Sequence, residues 1–209
     1  DDPERIRKLA QTMAFDIKVK EISKPSETIN CFDKFLPVLP LKNSVTSKLG
    51  SPESKNSKAV IESIKTASKY AMSEQVLGVV TNPIQKSVLY ESGFDFPGHT
   101  EFLGHLAGTN LPPLMMFISP QLRVACVTGH KSLSESIKEI SVENIINCTC
   151  LAETSLIKYF NFKKPRIAIA GINPHAGEDG SMGNEERSII APAVNYLIEK
   201  GVNVKGPFA

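Results

Sequence analysis

Tryptophan is absent from the 209 residues, and the four cysteines, Cys31, Cys126, Cys148 and Cys150, include no C-x-x-C pair. That count and spacing exclude a disulfide-stapled small scaffold and the paired-cysteine zinc modules, leaving reduced thiols as the expectation. Cys148 and Cys150, two apart on a predicted helix, point in different directions and make a poor pair of metal ligands. Charge of one sign is not in excess either: 24 Lys and Arg stand against 22 Asp and Glu, a net +2, with the lysines scattered. No basic field of the kind nucleic acid needs is present, so no nucleic-acid partner is expected. The longest apolar runs, at 114–118 and 167–172, fall far short of the roughly 20 residues that span a bilayer. The charged start, Asp1-Asp2-Pro3-Glu4-Arg5, has no apolar signal core. No membrane association and a cytoplasmic location are therefore the expectations. Neither G-x-G-x-x-G nor G-x-x-x-x-G-K-[ST] occurs, which leaves a standard Rossmann or P-loop cofactor site unsupported.

What is present is enough apolar sequence, 41%, to bury a core in a chain of this length. Helical and extended patterns alternate throughout, with no internal repeat, which predicts an α/β protein with a parallel or mixed sheet. Pro3 at an early helical position predicts a helix that starts after Asp2 and runs to about Phe15, followed by a strand over 16–22. Residues 23–57 mix Pro, Ser, Lys and Asn and read as irregular or edge structure. Val60, Ile61, Ile64, Ala67 and Ala71 recur at helical spacing and predict a helix over 57–73, with a strand at 75–81 directly after it. Further expectations are a short helix after Pro83, a helix from about Thr100, strands at 113–119 and 122–128 with a turn between, a long helix over 142–160, and a strand at 166–170. A loop over 171–183 and a helix over 185–200, with Gly201 as its cap, close the chain.

Polar residues gather just after the predicted strands: Thr81-Asn82-Pro83, Thr128-Gly129-His130 and Asn173-Pro174-His175. Ligands of open α/β sheets bind at such strand ends, so these loops are candidates to converge on one site. His175 lies in a loop constrained by Pro174, Gly171 and Gly177, beside acidic side chains. It reads either as a metal ligand oriented by a neighbouring carboxylate or as a histidine hydrogen-bonded within its own loop. His130 has the same two readings, ligand or surface residue. His99 and Thr100, before Glu101 at a helix start, offer an imidazole, a hydroxyl and free amides to an anion, or else Thr100 simply caps the helix. His105, about a turn further on, reads as structural. Lys86 is placed to meet a phosphate or merely to be solvated.

Taken together, these segments resemble one family. Val80-Thr81-Asn82-Pro83-Ile84-Gln85-Lys86, Phe96-Pro97-Gly98-His99-Thr100-Glu101, Val124-Ala125-Cys126-Val127-Thr128-Gly129-His130 and Gly171-Ile172-Asn173-Pro174-His175-Ala176-Gly177-Glu178 are similar, in order and spacing, to the 4-hydroxythreonine-4-phosphate dehydrogenases of vitamin B6 (pyridoxal phosphate) biosynthesis. The resemblance implies NAD- or NADP-dependent oxidation of 4-phosphooxy-L-threonine, a small phosphorylated hydroxy-amino acid, followed by decarboxylation to 3-amino-2-oxopropyl phosphate. It assigns His99 and Thr100 to the substrate and His130 and His175 to a divalent metal: zinc, magnesium, manganese or cobalt. It implies a two-lobed fold like that of isocitrate and isopropylmalate dehydrogenases, with a mixed sheet and helices on both faces. Residues 1–209 would be one two-lobed catalytic unit, working as a homodimer whose active sites are shared between subunits. The family's N-terminal strand and turn and its third histidine ligand have no counterpart in 1–209, so this stretch alone is expected to have little dehydrogenase activity. Asn82, Gln85 and Gly129 depart from the family's usual residues. A related dehydrogenase of threonate or erythronate 4-phosphate, or a noncatalytic remnant, are the alternatives.

Overall fold

The computed structural model describes residues 1–108 and 112–209, leaving aside the side chain of Asp179. The chain forms a mixed α/β structure that divides into two compact units, Asp1–Thr109 and Asn110–Ala209.

In the first unit, α1 (Pro3–Thr12) begins where Asp2 accepts from the amides of Glu4 and Arg5 at 3.0 and 3.3 Å, with proline in its first turn. The strand β1 (Val19–Glu21) pairs in parallel with β2 (Leu36–Val38), so the irregular stretch contains the expected edge strand. The long helix α2 (Ser57–Met72) follows, then the short α3 (Lys86–Tyr90) and α4 (His99–Ala107). Ile64, Leu89, Phe94 and Phe102 form the core of this unit. Phe102 meets Phe94 edge-on at 4.9 Å and Phe96 at 5.0 Å, which fixes the start of α4 against α2.

The strand expected at 75–81 does not form. A strand is stable only when its backbone groups pair with a neighbour, and among the described residues none pairs with this segment. Leu77 and Val80 are fully exposed as a result.

In the second unit, β3 (Met116–Ile118) and β4 (Arg123–Ala125) make the expected antiparallel hairpin. The Arg123 guanidinium lies 5.1 Å from the rings of both Phe160 and Phe162, securing the hairpin to the end of the long helix α6 (Val142–Phe160). Between them lies α5 (Leu133–Glu139), which the sequence reading passed over. The strand β5 (Ile167–Ala170) pairs in parallel with β6 (Val204–Phe208), a strand absent from the sequence expectations and one whose Gly206 and Pro207 disfavour strand structure. The final helix is not uniform: a π-helical turn over Glu186–Ile190 leads into α7 (Ala191–Glu199), and Gly201, at φ +86°, turns the chain out of it. Ile145, Ile190, Ala193, Val194, Leu197 and Val204 form the core beneath β5 and its following loop.

The cap of α5 is a complete capping box. The Ser132 hydroxyl accepts from the Glu135 amide at 3.3 Å, and the Glu135 carboxylate accepts from the Ser132 amide at 3.0 Å. The Ser132 hydroxyl and amide hold the Glu135 carboxyl below its ordinary range. A carboxylate whose folded pKa is lowered contributes above its unfolded value and loses that contribution as pH falls through the folded one. Ser132→Ala should raise the Glu135 pKa toward its ordinary range, the backbone amide at 132 remaining, and speed amide exchange in the first turn of α5 by roughly fivefold, as loss of an N-cap does. Both are measurable by NMR titration; an unchanged Glu135 pKa would contradict the capping box.

Candidate functional site

In the first unit, a cavity of about 400 Å³ is lined in part by Thr81, Asn82, Gln85, Asn56, Ser57 and His99. Two of the predicted segments, 80–86 and 96–101, therefore do come together. His99 is the first residue of α4, and its Nε2 is buried with no hydrogen-bond partner among the described residues. A buried imidazole nitrogen without a partner is costly, and the residue that carries it lines this cavity. Thr100 is not the cap it was expected to be: the helix starts one residue earlier, Gly98 occupies the N-cap position, and no side chain caps it. The amides of the first turn thus face the same neighbourhood as His99, the polarity that favours an anion. A side chain at Gly98 would stand 3.5 Å from Glu101 Oε2 and 3.7 Å from Lys86 Nζ, which places Lys86 and Glu101 beside the same turn. His105 is structural, its ring 5.0 Å from that of Phe96.

In the second unit, His175 is held by a dense local network. After β5, the Gly171 amide donates to Phe208 O at 2.7 Å. Asn173 then accepts from the His175 amide at 2.9 Å and donates through Nδ2 to Met182 O at 3.1 Å, folding the loop back on itself. Ala176, Gly177 and Glu178 all take positive φ, 46°, 78° and 37°. Two of these are not glycine, and such left-handed residues cost on the order of 1 kcal/mol each. The reverse turn so formed returns the Glu178 carboxylate to 2.8 Å from His175 Nδ1. A carboxylate can only accept, so Nδ1 carries the proton, and in the neutral ring Nε2 is left with its lone pair directed away from Glu178.

His130 sits on a different loop, after β4, exposed and at φ 55°. Among the described residues, no three His, Cys, Asp or Glu side chains are grouped closely enough to hold a metal ion. The donors fit a divalent ion in kind: two imidazoles, one of them tethered through Nδ1 as metal-binding histidines commonly are. In number they fall short of the three protein ligands usual for a catalytic ion.

The cysteines take no part. Cys148 donates its thiol toward Cys126 O at 3.9 Å, and burial pushes that thiol up to about 11; burial raises Cys150 as well. At pH 8 only roughly one Cys148 in a thousand is then thiolate. Under native conditions the exposed Cys150 should react with a thiol reagent well before Cys148. Mass spectrometry of partially labelled protein checks this, and labelling of Cys148 first would contradict it.

Sequence reasoning missed Glu186, which is 4% exposed and accepts from the Ile172 amide at 2.8 Å. In the sequence it reads as one more acid at a helix start, and nothing there signals burial.

A family model described as pyridoxal phosphate biosynthetic protein PdxA matches residues 1–209. Over 202 residues the chain is 40% identical to a 4-hydroxythreonine-4-phosphate dehydrogenase of Bradyrhizobium diazoefficiens, covering 95% of this chain and 58% of that protein. Its fold is similar to the crystal structure of a 4-hydroxythreonine-4-phosphate dehydrogenase from Burkholderia phymatum, with a TM-score of 0.85 and 32% identity over 99% of this chain and 62% of that one. The corresponding enzyme from Klebsiella pneumoniae superposes with a TM-score of 0.81 at 31% identity, covering 91% of this chain and 58% of its own. The chain spans between 58% and 62% of the length of such curated relatives.

Proposed function

Since the chain belongs to the PdxA family of pyridoxal phosphate biosynthetic proteins, we propose that the protein it represents is a 4-hydroxythreonine-4-phosphate dehydrogenase. It would oxidise the secondary alcohol of 4-phosphooxy-L-threonine, passing a hydride to NAD or NADP and releasing a proton. The β-keto acid so formed then loses carbon dioxide to give 3-amino-2-oxopropyl phosphate. The observation that carries this reading is the family match over residues 1–209 together with relatives of that name covering 95–99% of the chain.

On this reading His99 and Thr100 contact the substrate. The buried Nε2 of His99 offers a hydrogen bond, and the first-turn amides of α4 favour the substrate's negative charge. His130 and His175 are two ligands of a divalent metal, zinc, magnesium, manganese or cobalt, with His175 Nε2 presented by the Glu178 contact. When bound, such an ion lowers the pKa of a coordinated alcohol and polarises the ketone that replaces it. Any further ligand would come from outside the described residues of this chain. The division into two compact units supports reading 1–209 as two-lobed; the isocitrate dehydrogenase-like fold and the homodimer with shared sites are part of the same proposal and rest on the family resemblance. No described helix is long and apolar enough to cross a membrane, in keeping with a cytoplasmic enzyme.

A second reading keeps the chemistry and changes the substrate to threonate or erythronate 4-phosphate. What favours retaining it is that Asn82 and Gln85, two departures from the family pattern, line the same cavity as His99. Initial rates of the full encoded protein on these substrates decide. A kcat/KM for 4-phosphooxy-L-threonine well above that for the sugar-acid phosphates is expected, and the reverse order would overturn the assignment.

A further inference from the structure

Glu186 has no part in the mechanism above, yet its carboxylate lies among the most buried charged groups described, at 4% exposure. Oε1 accepts from the Ile172 amide at 2.8 Å, and Oε2 is buried without a partner among the described residues. Burying a carboxylate with one oxygen unsatisfied is costly, and an apolar side chain of similar size would serve packing alone better. Glu186 opens the π-helical turn Glu186–Ile190, a local irregularity of the kind that recurs at functional sites.

Its position explains the choice. A Cβ added to Gly177 would stand 2.8 Å from Glu186 Oε2, and one added to Gly171 would stand 3.1 Å from Oε1. The carboxylate thus spans both ends of the segment 171–177, bonded to the backbone at Ile172 and packed against Gly177. His175 lies between those two contacts. We propose that Glu186 is a positioning residue for His175: it holds the loop backbone, as Glu178 holds the imidazole ring, so that Nε2 is kept where a metal ion can use it. This inference rests on the reading of His175 as a metal ligand.

The test is zinc affinity of the full encoded protein, measured by chelator competition, for Glu186→Ala, Glu186→Asp and Glu186→Gln beside a His175→Ala control. Glutamine retains an acceptor for the Ile172 amide and should bind zinc within about threefold of the parent. Alanine removes the acceptor and aspartate withdraws it by a methylene, and each should weaken zinc binding by roughly tenfold or more, the scale seen when groups that orient metal ligands are lost. If the alanine variant does not fold, the aspartate and glutamine variants decide. Aspartate and alanine variants with lowered thermal stability but parental zinc affinity would show a merely structural role and overturn the proposal. So would a glutamine variant as weak as alanine. Unchanged zinc affinity in His175→Ala would remove the metal reading and this inference with it, whereas a loss confined to His175→Ala would overturn the role of Glu186 alone.

Discussion

Replacing His175 with alanine in the full encoded protein should lower affinity for zinc or manganese by at least about a hundredfold and remove most dehydrogenase turnover. The expectation rests on the loop as much as on the residue. Ala176 and Glu178 hold strained, left-handed backbone so that the Glu178 carboxylate meets His175 Nδ1 at 2.8 Å. A surface histidine with no role would not need such a turn. Loss of an outer partner of a metal ligand typically costs 10- to 100-fold, roughly, and loss of the ligand itself should cost no less. Bound metal and turnover measured on the same sample check this together. Unchanged metal content and activity would return His175 to the plainer reading, a histidine hydrogen-bonded within its own loop.

The second large effect is on stability. Leu197→Ala should destabilise the protein by about 3 kcal/mol, within the range found for fully buried leucines. Leu197 is completely buried on α7 against Ile145, Ile190, Val194 and Val204. That cluster is the platform on which β5 delivers the His175 loop and from which Glu186 emerges, so loosening it should also weaken metal binding. Urea denaturation with the m-value held constant gives the first quantity. A loss below about 1 kcal/mol would show that the site can collapse around the gap, and that the core is less tightly packed than its burial indicates.

Much of the helical structure was legible because its signals are local. Asp2 and Pro3 announce α1, the apolar spacing of 57–73 gives α2, and α6 occupies the span its pattern predicted, 142–160. Strands were legible where an apolar or β-rich run is long enough to show, as at β1, the β3–β4 hairpin and β5. The segment 75–81 has the composition of a strand but no pairing neighbour among the described residues, and β6 has the composition of a turn but is recruited by β5. Pairing is a non-local property, and propensity does not report it.

The site divides in the same way. His99, His130 and His175 stood out as candidates from residue type and motif, each an imidazole beside glycine or proline. Their support was not legible: the Nδ1 contact of His175 depends on three successive positive φ values, and the role of Glu186 depends on burial. The cap reading of Thr100 was two positions out, because Gly98, rather than a hydroxyl, occupies the cap.

The most direct measurement follows the substrate's carboxyl carbon. Full encoded protein supplied with carboxyl-labelled 4-phosphooxy-L-threonine, NAD or NADP and a divalent metal should release one labelled carbon dioxide for each nucleotide reduced. Nucleotide reduction without carbon dioxide release, or neither under any metal, would contradict the assignment.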